Sequence, residues 1–160
     1  DLVRSRGLGD VYKRQEYMPA PIKFEAGTQR VSQAVAFAAA VRYLQHLGME
    51  NVEAWEHELG ARLVEGVQKI EGVRLLGPAD PSKRAGLVAL AIDGVHPHDV
   101  GQLLDTQGIA VRVGHHCAQP LHRCAGVTAS TRASTYIYNT TEDVDAFLKA
   151  LSEVRPYFGF

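Results

Sequence analysis

The densest group of reactive side chains in the sequence is the run Arg112-Val113-Gly114-His115-His116-Cys117-Ala118-Gln119-Pro120. A thiolate, not a thiol, is the useful nucleophile, and neighbouring cations favour it. Arg112 and two histidines lie within five residues of Cys117. On a loop the sulfur would also be reachable. Spacing alone leaves two accounts open: a nucleophilic cysteine, or a small core residue with surface histidines around it. Zinc is a third. His115, His116, Cys117, His122 and Cys124 contain enough ligands for a site, but they lack the CxxC or HxxxH pairing usual in structural zinc centres.

Arg132 follows Cys117 by fifteen positions, among the small residues Ala129, Ser130, Thr131, Ala133 and Ser134. A guanidinium there can hold a carboxylate through two parallel hydrogen bonds, which lysine cannot copy. Taken alone, a structural ion pair is the simpler account. A third candidate is Phe24-Glu25-Ala26-Gly27-Thr28-Gln29, just before a helical stretch. Free N–H groups at a helix start suit phosphate, although any capped helix start looks similar.

The elements that must position these residues follow from periodicity. Ser32 to Leu47 repeats apolar residues at helical spacing and stops at Gly48. Asn51 is placed to cap a second helix, whose apolar face reads Val52, Trp55, Leu59, Leu63, Val67 and Ile70. Val73 to Leu76 is a strand, followed by the turn-rich stretch Gly77 to Lys83. Leu87 to Ile92 is an unbroken apolar run that predicts a strand covered on both faces. Asp93-Gly94 turns the chain into a short helix over Pro97 to Thr106, ended by Gly108. Ile109 to Val113 reads as a strand. Gly114 to Ser130 has no sustained period and reads as a long loop, which is more often functional than idle. Thr131 to Tyr138 is strand-like, and Thr140 caps a last helix with Glu142 and Asp143 in its first turn. The order predicts an α/β or α+β domain, a small sheet with helices packed on it.

Composition narrows the function classes. The chain has 160 residues and a formal net charge of −1, with no basic stripe of the kind nucleic-acid binding needs. No apolar run approaches the roughly eighteen residues of a membrane span. Two cysteines do not make a disulfide scaffold, so a reducing compartment is expected, with the cytoplasm as the default. Residues 1–15 hold four basic side chains without an apolar segment or a period, and read as a non-native leader or a disordered arm.

Taken together, FEAGTQ, RVGHHCAQP and TRASTYIYNT, in this order, resemble the signature segments of cysteine desulfurases of the sulfur-mobilisation (Suf) type. These are class-V aminotransferases of fold type I, and the resemblance runs from about Glu16 to the C-terminus. It implies that residues 16–50 are a connecting segment and helix at the end of a large domain, and that residues 51–160 are the C-terminal small domain. It implies pyridoxal 5'-phosphate as cofactor and L-cysteine as substrate. Cys117 matches the cysteine that attacks the substrate's sulfur, becoming a persulfide as alanine leaves. Arg132 matches the arginine that grips the substrate carboxylate, and Arg112 and His116 match supporting positions beside the thiolate and substrate. Gly27 and Thr28 match the pair that approaches the cofactor phosphate of the partner subunit, which implies a homodimer. A sulfur-acceptor protein of the SufE/SufU kind and a role in iron–sulfur cluster assembly follow from the same likeness. Cys124 matches no functional position.

The family's cofactor lysine stands in a Ser-x-His-Lys setting that none of Lys13, Lys23, Lys69, Lys83 and Lys149 has. The resemblance therefore places most of the cofactor site in an N-terminal domain outside this chain, which alone is expected not to turn over cysteine. A selenocysteine lyase on the same scaffold and a non-enzymatic sulfur-carrier or binding module are the alternatives.

Overall fold

The computed structural model describes residues 18–25 and 27–160. The expected leader, 1–15, lies outside them. The backbone divides into two units, one reaching to Tyr43 and one from Leu44 to Phe160.

In the first unit a short 3-10 turn at Ile22–Phe24 precedes helix α1, Val31–Leu47, which runs on into the second. Alanine-rich sequence and a glycine stop account for α1, yet none of its residues is buried. Val31, Val35 and Phe37 are all exposed.

Gly48 has φ of 86°, a backbone conformation that favours glycine. It ends α1 as its sequence requires, and it also opens α2, Met49–Gln68. The expected cap, Asn51, does not perform that task. It lies in the first turn of α2, and its amide donates back to the Leu47 carbonyl at 2.8 Å, closing the end of α1. The helical stripe on α2 is buried as its spacing requires: Val52, Leu59, Leu63 and Val67 are inside, with Trp55 and Ile70 half-buried against them.

Four strands follow: β1 Val73–Leu76, β2 Leu87–Ile92, β3 Arg112–Gly114 and β4 Ser130–Ser134. Their order across the sheet is β1-β2-β4-β3, and every neighbouring pair is antiparallel. This is the small α+β sheet the sequence predicts. Helices α2, α3 (Pro97–Thr106) and α5 (Thr141–Tyr157) supply the other half of the core. Side chains alternate along a strand. Val88, Leu90 and Ile92 of β2 point into the core beside Leu63, Val67, Leu104 and Leu151. The remaining β2 residues do not share that burial: Leu87 is 39% exposed, and Ala89 and Ala91 are intermediate. The strand is thus not equally covered on its two faces, which corrects the reading of its apolar run. Its second face is apolar because Ala89 lines a cleft there.

Leu90 is fully buried and stands opposite Leu75 on one side and Thr131 on the other. Leu90→Ala is expected to lower stability by about 2–5 kcal/mol through lost transfer energy and a cavity. A shifted urea midpoint with unchanged slope checks it.

The chain ends in a well-capped helix. The Thr140 hydroxyl accepts from the Asp143 N–H at 3.3 Å, and the Asp143 carboxylate accepts from the Thr140 N–H at 2.9 Å, a reciprocal capping box.

Three expected boundaries move. β3 begins at Arg112, not Ile109, because the Ile109 N–H is held by the Leu104 carbonyl in the turn that ends α3. β4 stops at Ser134, not Tyr138, because the Asn139 side chain and backbone fold Tyr136 to Asn139 into a turn. Lastly, the segment read as a loop from Gly114 to Ser130 contains a short helix, α4, Gln119–Cys124. Pro120 in its first turn is the ordinary mark of a helix start.

Candidate functional site

Strand alternation decides which residues meet. Thr131 and Ala133 of β4 are buried towards the core, so Ser130 and Arg132 face the other side of the sheet. On that side Arg132 stands opposite Ala89 of β2 and Arg112 of β3, and Ser130 stands opposite Gly114. Helix α4 lies over this face. The Arg74 guanidinium donates to the Ala125 carbonyl just past its C-terminus at 3.0 Å, where a cation is favourable. Between helix and sheet is a largely apolar cleft of about 260 Å³, bordered by Leu76, Ala89, His116, Leu121, Ser130 and Arg132.

Cys117 lies in the turn that leads from β3 into α4. Strand β3 ends at Gly114, and the next turn brings two successive non-glycine residues, His116 and Cys117, to φ of 51° and 60°. A non-glycine residue there costs on the order of 1–3 kcal/mol. The turn is closed by the Ala118 N–H donating to the His115 carbonyl at 2.8 Å. His116 and Ala118, on either side of Cys117, both border the cleft. The thiol is free and exposed, so the account of Cys117 as a core residue fails. Cys124, at the end of α4, is also free and exposed.

The three histidines of the segment have different surroundings. His115 is exposed, His116 half-buried and His122 buried. Both ring nitrogens of His122 are engaged within the protein, Nδ1 with the Ala118 carbonyl at 2.9 Å and Nε2 with the Ser130 hydroxyl at 2.9 Å. It is not available as the zinc ligand considered above, and among the described residues no three such side chains are gathered for a metal. His116 Nε2 meets the same Ser130 hydroxyl at 3.0 Å. Burial, and then the positive charge of Arg132, hold the His116 imidazole below its ordinary pKa, with a contact to the Ser130 backbone acting the other way.

Two features of this face call for an anion. Arg112 and Arg132 are directly paired across the strands, and like charges so placed repel. Arg132 also bears a buried Nε without a hydrogen-bond partner among the described residues. An unsatisfied buried donor beside a cleft is a deficit that a ligand can fill. Among the described residues, no carboxylate is bridged to either arginine. Among the described residues the ion-pair account of Arg132 therefore finds no partner.

Gly27 and Thr28 belong to the first unit, before α1. Gly27 has φ of 84°, and none of the described residues comes within 4 Å of the place a Cβ would take. A larger cleft, about 390 Å³, holds Asn139 and Asp143. Those two side chains are engaged in the α5 cap and its preceding turn.

The structure thus brings Cys117, His116, Arg112 and Arg132 to one end of the sheet. Sequence reasoning missed Ser130 as the residue linking the histidines. The period-two alternation of β4 and the Gln119-Pro120 helix start were the signals that lead to it.

Residues 7–147 match the family model described as aminotransferase class-V. The chain belongs to that family. Among its class-V relatives, it is 51% identical over 143 residues to a probable cysteine desulfurase of Mycobacterium leprae, a match covering 89% of this chain and 34% of that protein. Identity to a probable cysteine desulfurase of Streptomyces coelicolor is 47%, with the same coverage. The solved cysteine desulfurase of Thermococcus onnurineus matches with a TM-score of 0.79 and 40% identity, over 87% of this chain and 34% of that one. The Escherichia coli cysteine desulfurase CsdA matches with a TM-score of 0.78 and 35% identity, over 88% and 34%. The chain spans about a third of the length of the curated relatives it matches. Among the described residues no helix is long and apolar enough to cross a membrane.

Proposed function

We propose that this chain is the C-terminal part of a pyridoxal-phosphate-dependent cysteine desulfurase of the Suf type, with 16–50 as the connecting segment and 51–160 as the small domain. The observation that carries the reading is an exposed thiol, Cys117, set between His116 and Ala118, both of which border the cleft that Arg132 also borders.

In this reading Arg132 holds the carboxylate of L-cysteine, and Arg112 across the strand pair adds a second positive charge. The Cys117 thiolate attacks the substrate's sulfur. A sulfur–sulfur bond forms, the substrate's carbon–sulfur bond breaks with its electron pair left on carbon, and protonation of that carbon gives alanine. When bound, pyridoxal 5'-phosphate supplies the electron sink that makes the carbon–sulfur bond labile. The exposed, open backbone at Gly27 fits the approach of a phosphate, and Thr28 adds a hydroxyl. These two would serve the partner subunit of a homodimer. His116 is assigned a place beside the thiolate. The persulfide on an exposed turn is accessible to an acceptor of the SufE/SufU kind, for iron–sulfur cluster assembly in the cytoplasm.

The test is cysteine turnover by the full-length protein reconstituted with pyridoxal phosphate. Alanine and sulfide appear in equal amounts with a reductant present, and a persulfide accumulates on Cys117 without one. Absence of both products, with cofactor bound, refutes the proposal. Faster turnover of selenocysteine than of cysteine would instead assign a selenocysteine lyase.

A further inference from the structure

We infer that Ser130 and His122 are positioning residues that hold His116 in one tautomer, with its proton on Nε2 and its Nδ1 bare. The inference starts at Ala118. Its carbonyl can only accept, so His122 Nδ1, 2.9 Å away, must carry a proton. A neutral imidazole has a single N–H, which leaves His122 Nε2 as an acceptor. Its partner at 2.9 Å is the Ser130 hydroxyl, whose one proton is thereby committed. Ser130 then has only lone pairs to offer His116 Nε2 at 3.0 Å, so that nitrogen is the donor. The His116 proton is placed three links away from the carbonyl that decided it.

The surroundings agree. Ser130 is fully buried and His122 is 6% exposed, so water does not compete for the relay. The titratable and charged side chains around it are the His115 ring, edge-on to His122, with Arg112, Arg123 and Arg132, and among the described residues no carboxylate borders either cleft that touches His122. His116 Nδ1 is buried and unpartnered among the described residues, as a lone pair reserved for a ligand would be. His116 and Arg132 both border the cleft, and there the relay leaves a bare acceptor at His116 Nδ1 and an unpartnered donor at Arg132 Nε, both buried.

The bearing of this on catalysis rests on the desulfurase reading, but the tautomers do not, so the two fail separately. The experiment is nitrogen NMR of the histidine rings in this chain, labelled with ¹⁵N-histidine, at pH about 8, above the ordinary histidine range. The expected result is opposite tautomers, with Nδ1 protonated on His122 and Nε2 protonated on His116. His122→Leu removes the acceptor for Ser130, and the His116 proton moves to Nδ1. His122→Gln restores an acceptor and keeps it on Nε2. Ser130→Ala removes the bridge, and His116 becomes a mixture of both forms; it serves as the second arm should His122→Leu fail to fold. A bare Nδ1 on His122, or a His116 ring unchanged in Ser130→Ala, overturns the inference.

Discussion

Cys117→Ala in the full-length protein abolishes alanine release from L-cysteine, by about 10³-fold or more, while substrate binding persists. The size follows from the role: removing a nucleophile costs the whole covalent route, not one contact. The fold is indifferent to the change. Cys117 is exposed and outside the core, and alanine at its left-handed φ of 60° is no more strained than cysteine. Cysteine turnover is followed by alanine formation, and binding by the change in cofactor absorbance on adding cysteine. Retained turnover removes Cys117 from the mechanism. Cys124, exposed at the end of α4, provides the internal control. Cys124→Ser leaves turnover intact, because that side chain stands at the far end of α4, whereas Cys117 lies between the cleft-lining His116 and Ala118.

Arg132→Lys is the second large effect, expected to lower kcat/KM for cysteine by about 10²-fold while keeping the positive charge. A lysine ammonium cannot reproduce two parallel N–H donors to a carboxylate, and a lost charge-assisted pair of this kind costs about 2–5 kcal/mol. A purely structural arginine would respond differently. Arg132 is half-buried, on the sheet face away from the core, between Ala89 and Arg112, so the substitution leaves the Leu90 and Val88 layer untouched. The discriminating readout is alkylation of Cys117, which keeps its rate in Arg132→Lys. KM rises. A variant with unchanged KM for cysteine assigns the carboxylate to another cation, with Arg112 the next candidate.

The two arginines also explain why this end of the sheet is unfinished in the isolated chain. Directly opposed cations on β3 and β4 are an arrangement a structural role would avoid. A ligand carboxylate offsets that repulsion, and together with the unpartnered Arg132 Nε it makes the cleft complementary to an anion.

Much of this was legible in residue order. Helical period marked α2 and α5, because a helix with one buried stripe must repeat its apolar residues every three or four positions. Gly48, Gly108 and Thr140 marked ends because backbone geometry and capping chemistry are local. The RVGHHCAQP and TRASTYIYNT segments offered the thiol and the guanidinium as candidates through their resemblance to cysteine desulfurase segments. Local rules also had limits. Asn51 looked like a cap, but Gly48 had already turned the chain, and the asparagine closed the preceding helix. Ile109 had strand chemistry, but its N–H was taken by the end of α3.

What the sequence determined by itself, then, is the inventory: which groups are nucleophilic or cationic, and which stretches carry a helix or a strand. Only the tertiary structure decided that Cys117 is exposed beside the cleft-lining His116, that Arg132 turns away from the core, and that a six-residue α4 roofs the cleft. It alone joined His116 to His122 through Ser130. The physical reason is range. Periodicity and capping act within a turn or two of backbone. The site depends on the register of β4 against β2 and β3 and on α4 folding back over them, pairings between residues far apart in the chain that no local pattern specifies.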